Sequence, residues 1–77
     1  MLDFLDDYFN EDELKEIKNN IRGPLAFDLN SNQDSVIEIV KYLKSLKLNV
    51  CNLLITDTDI FFKEIDEIKE LFIEELN

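Results

Sequence analysis

The side chains able to do chemistry in this sequence are carboxylates, a single thiol and a short run of lysines. Histidine is absent, which removes the usual general base, catalytic triads built on it and the common histidine-containing metal sites. Cys51 has no such base to activate it, and it aligns with the inward-facing Ile17, so a buried, inert thiol is expected. Glu64, Glu67, Glu70 and Glu74 recur at helical spacing, and carboxylates three residues apart can hold a divalent cation. Carboxylate sites in helical bundles add inward-facing histidines, however, and these acids oppose the apolar stripe, so they form a solvated face. Asp57-Thr58-Asp59 resembles the opening of a calcium loop, but the glycine and the bidentate glutamate do not follow, and a capping role is expected. With one glycine, no glycine-rich phosphate loop can be built. The expectation is a protein that is not an enzyme, with no catalytic residue, cofactor or metal site.

Binding chemistry is better represented. Phe4, Tyr8 and Phe9 near the start, and Phe61 and Phe62 later, are expected to pack in the core by default, although together they are a large aromatic surface for a small core to absorb. Any of them left exposed among acids would be a hot spot for a protein partner, with Glu67, Glu70 and Glu74 alongside. Lys41, Lys44 and Lys47 form the local basic patch, with Asn49 and Asn52 nearby, and are the candidates for touching nucleic acid. They equally suit the negative end of a helix macrodipole.

The element that positions these groups is Asp34–Leu48. Val36, Ile39, Val40, Leu43 and Leu46 recur at three- and four-residue steps and predict a central helix that needs neighbours on both sides. Ser31 or Asn32 is expected to cap it. Leu2, Leu5 and Phe9 give a short amphipathic turn before it. Asn10 and Glu13 then have capping-box spacing, opening a helix that turns Leu14, Ile17 and Ile21 inward and stops before Gly23-Pro24. The final segment, Lys63–Leu76, places Ile65, Ile68, Leu71, Phe72 and Leu76 on one face. Residues 25–29 and 50–55 are short apolar runs that two kinds of structure could use. A tight 3₁₀-like turn is expected over 25–28 and a helix over 50–56. The alternative is an α/β fold in which 25–29 and 50–55 pair as a small parallel sheet, although such sheets are normally larger and covered on both faces. The fold class expected is all-α: one domain, residues 1–77, a small bundle of four or five short helices.

Eighteen acids against eight bases give a net charge of −10, with the acids concentrated in residues 1–16 and 57–75. Such a surface repels phosphate backbones and suits a basic protein partner or imitation of nucleic acid. The hydrophobic fraction of 45% is enough for a globular core in spite of that charge. A chain this short is marginal by itself, so a homodimer is an open alternative. The lone cysteine, the acids in MLDFLDD where a signal peptide carries bases, and the absence of a long apolar run point to a cytoplasmic protein with no membrane partner.

The apolar spacing also repeats. Leu14 aligns with Leu48, Ile17 with Cys51, Ile21 with Ile55, Pro24 with Thr58 and Phe27 with Phe61. With a shorter loop in the second half, Val36, Ile39 and Val40 then match Ile68, Leu71 and Phe72, giving a two-unit helix-turn-helix repeat. On Pro24-Leu25-Ala26-Phe27, Asp59-Ile60-Phe61 and Leu43-Lys44-Ser45-Leu46-Lys47-Leu48, the chain resembles the helical repeats of the mitochondrial transcription termination factor (mTERF) family. Those repeats consist of two helices and a 3₁₀ turn with a proline, ending in LxxLGL. Thr58 stands where a second proline belongs, and Lys47 where glycine does. The family stacks many such units into a solenoid with a basic nucleic-acid-binding groove. This chain is short and oppositely charged, so the resemblance implies helical topology.

Overall fold

The computed structural model describes residues 2–72, and among them the fold is all-α, with no strand. A 3₁₀ turn at Asp3–Leu5 leads to α1 (Glu11–Asn20), α2 (Pro24–Ser31), α3 (Gln33–Ser45) and α4 (Val50–Thr56). A second 3₁₀ turn at Thr58–Phe62 precedes α5 (Ile65–Leu71).

α1 starts where its capping box places it. The Asn10 side chain accepts from the Glu13 N–H at 2.8 Å, and the Glu13 carboxylate accepts from the Asn10 N–H at 3.0 Å. Each satisfies an amide that the helix leaves unpaired. α1 ends before Gly23, whose φ of 62° and ψ of −137° are the mirror image of an extended residue. The position ahead of a proline is held to extended backbone, and only glycine takes the inverted form readily.

Pro24 then occupies the first turn of α2, where a missing N–H costs nothing. Here the structure corrects the sequence. Residues 25–28 are not a 3₁₀-like turn but part of an eight-residue α-helix, with the Phe27 N–H bonded to the Gly23 carbonyl at 3.1 Å. Residues 50–55 lie in α4, so the paired-strand alternative is overturned as well. Turning 24–31 into helix satisfies its amides locally, whereas two isolated strands would leave both edges unpaired.

Only Asn32 separates α2 from α3, and it does not cap α3 as expected. Its side-chain amide instead donates back to the Asp28 carbonyl at 2.8 Å. Asn49 is the side-chain cap of α4, accepting from the Asn52 N–H at 3.1 Å. Thr58 also departs from its expected role. Its hydroxyl donates to the Leu54 carbonyl, and neither the second 3₁₀ turn nor α5 has a side-chain cap.

α3 is the central helix. Val36, Ile39, Val40 and Leu43 are fully buried, and α2, α4, α5 and the second 3₁₀ turn all pack against it. α1 packs chiefly on α4. Leu2, Leu5, Ile17, Ile21, Ala26, Leu29, Val50, Leu54, Phe61, Ile68 and Phe72 complete one continuous core. The stripe of α5 is narrower than predicted: Ile68 and Phe72 are buried, but Leu71 is 55% exposed. Leu76 lies outside the described residues.

The repeat expected from the sequence would set α2, an eight-residue α-helix, against the five-residue 3₁₀ turn Thr58–Phe62, so its two units differ in structure. Aligned positions also differ in environment. Ile17 and Cys51 are both buried, whereas Phe27 is 60% exposed and Phe61 is 0% exposed.

Just past the end of α3 lies Lys47, the one non-glycine residue with positive φ among those described, at 62°. The Lys47 N–H bonds to the Lys44 carbonyl at 2.9 Å and the Leu48 N–H to the Leu43 carbonyl at 3.4 Å, which is the Schellman pattern.

Candidate interaction surface

The aromatic candidates separate by burial. Phe61 and Phe9 belong to the core, and Phe4 and Tyr8 are half-buried against it. Phe62 alone among them is exposed, at 39%. In a 3₁₀ turn, with three residues per turn, adjacent side chains point about 120° apart, so Phe61 can enter the core while its neighbour stays outside.

Two groups assigned to different roles from the sequence lie together in the fold. The Lys44 ammonium lies over the Phe9 ring, 4.8 Å from its centroid, and that of Lys41 lies 5.9 Å from the centroid of Tyr8. A cation over an aromatic face is held by the ring quadrupole. Lys44 also sits in the last turn of α3, where a cation suits the dipole. Lys47 is exposed at the helix end. Glu67 and Glu70 are exposed on α5, while Glu74 falls outside the described residues. Glu67 meets Lys63 at 3.9 Å.

Two acidic recesses follow from the packing. Between α1 and α4 lies an open cleft of about 260 Å³, with Asp12, Glu13 and Glu16 facing Asn49 and Asn52 beside Cys51. The Cys51 thiol donates to the Glu13 carbonyl at 3.8 Å. Burial raises its pKa first, then the nearby Glu13 and Glu16 carboxylates, with Lys44 opposing them. The thiol is thus held in its weakly nucleophilic, protonated form.

The second recess, about 220 Å³, lies between the first half of α3 and the link from the second 3₁₀ turn to α5. Ser35 and Glu38 face Phe62, Lys63, Glu64 and Ile65 across it. Sequence reasoning passed over Glu38 and the acids of α1, because their juxtaposition with other elements is set by packing. It also passed over exposed Phe27, which a helical reading of 25–29 would have placed away from buried Ala26 and Leu29.

Among the described residues no cluster of three or more potential ligands is placed to hold a metal ion, and no helix is long and apolar enough to cross a membrane. The fold and its surface define a small acidic helical bundle. No family model, curated protein or solved structure matches the chain.

Proposed function

We propose that this chain is a small, non-enzymatic, cytoplasmic module that binds a basic protein partner through its acidic surface. The observation that carries this reading is the placement of charge. No charged or polar residue among those described is buried, so their ionic groups lie at the surface. Acids line both recesses, whereas two of the three candidate nucleic-acid lysines are engaged with aromatic rings. Complementary charge of this kind speeds encounter and selects partners more than it adds affinity. The same field disfavours a second copy of the chain and a nucleic acid. Imitation of nucleic acid asks for a straight row of carboxylates. Glu64, Glu67 and Glu70 step by three residues, and at 3.6 residues per turn that row winds around the helix.

The test is capture from native lysate on the immobilised chain, eluted with rising salt, beside a bait carrying Asp12→Asn, Glu16→Gln, Glu38→Gln and Glu64→Gln. A saturable basic protein that elutes as salt rises, and is lost from the substituted bait, is the expected outcome. Equal capture by both baits, or none, would remove the proposal.

A further inference from the structure

The proposed function leaves open which part of the surface grips the partner and which partner residue it grips. We infer that the recess between α3 and the start of α5 receives a single arginine side chain, stacked on Phe62 with its guanidinium between Glu38 and Glu64. This inference rests on the reading of the chain as a binder of basic proteins.

Three observations lead to it. First, the recess combines an aromatic wall with acids. Phe62 is exposed at 39%, next to half-buried Ile65, with Glu38 from α3 and Glu64 at the start of α5 lining the same space. Second, the local cation, Lys63, also lines the recess, but its charge is paired outside it. The Lys63 ammonium pairs with Glu67 at 3.9 Å, and neither Glu38 nor Glu64 makes an ion pair among the described residues. Third, the size is restrictive. About 220 Å³ is below the roughly 300–1,000 Å³ of small-molecule sites and suits one long side chain.

Arginine fits this chemistry better than lysine. Its planar, weakly hydrated guanidinium stacks on aromatic faces and offers several donors at fixed angles to carboxylates, whereas an ammonium is a compact, strongly hydrated charge. The other exposed aromatic, Phe27, lines neither of the two acidic recesses described above.

The experiment is an amide-resolved NMR titration of the full chain with hepta-arginine amide and, separately, hepta-lysine amide. Both peptides should bind by charge. Hepta-arginine should bind about fivefold more tightly, with its largest shifts at Ser35, Glu38, Phe62 and Glu64. Phe62→Ala should abolish that preference by weakening hepta-arginine the more, and Phe62→Tyr should retain it. Equal affinity for the two peptides, or a preference that survives Phe62→Ala, overturns the arginine site and leaves the general reading standing. Binding of neither peptide overturns both.

Discussion

The ammonium of Lys44 lies 4.8 Å from the centroid of the Phe9 ring, pinning the N-terminal segment to the end of α3. Phe9 is buried and Lys44 is exposed, so the cation sits at the solvent edge of the core and covers an aromatic face. A double-mutant cycle with Lys44→Gln and Phe9→Leu should give a coupling of about 0.5–1 kcal/mol in urea unfolding. Independent, additive effects would mean the contact has no energetic weight.

Phe61 and Phe62 should respond oppositely to truncation. Phe61 is fully buried beside α3 and α4, and Phe61→Ala should cost about 3–5 kcal/mol. A domain of this size holds on the order of 4–12 kcal/mol in total, so that variant should be largely unfolded at elevated temperature. Phe62→Ala should stay within about 1 kcal/mol of the parent. Thermal melts of the two variants would reverse the assignment if Phe62→Ala were the damaging one.

The two positive-φ positions among the described residues, Lys47 and Gly23, predict changes of opposite sign. Lys47→Gly relieves a left-handed backbone that costs a side-chain-bearing residue roughly 1–2 kcal/mol, and it should stabilise by about 1 kcal/mol. Gly23→Ala meets no atom within 4 Å of the added Cβ, so its penalty is purely conformational, about 1–3 kcal/mol. Urea midpoints for the pair check both. A neutral Gly23→Ala would show that the backbone can relax out of its inverted form.

Cys51 predicts a pH dependence. Its folded pKa is raised above the ordinary 9.0, so the folded state keeps a proton that the unfolded state loses. The contribution is fully present below 9.0 and is lost as pH rises from there through the folded pKa. The stability of the parent should therefore fall more steeply above that pH than the stability of Cys51→Ala, whose comparison cancels the titration of other groups. A thiol reagent should modify the native protein slowly and the urea-unfolded chain fast. Parallel pH profiles for parent and variant would contradict the assignment.

What the sequence made legible was what depends on local pattern. The stripe through Val36, Ile39, Val40 and Leu43 located the central helix because its period is long and unbroken, and Asn10 with Glu13 located the start of α1. Residues 25–28 were misread as a turn because a short apolar run after proline suits several conformations, and packing chooses among them. The candidate surface was harder still. Lys44 and Phe9 are far apart in the chain, and no periodicity foretells that they meet. Phe27 and Phe61 occupy aligned positions yet lie outside and inside, because one is on the solvent side of α2 and the other is wedged between α3 and α4. Phe62 and Glu64 could be named as candidates, but that Glu38 lines the same recess could be found only in the fold.

The central claim is that the exposed acids bind a cationic partner, and calorimetric titration of the native chain with a basic peptide across ionic strength tests it most directly. At about 0.02 M salt the Debye length is roughly 20 Å and binding should be saturable; by about 0.3 M, where it is near 6 Å, affinity should fall at least about tenfold. No heat of binding at low salt, or an affinity indifferent to salt, would contradict the account.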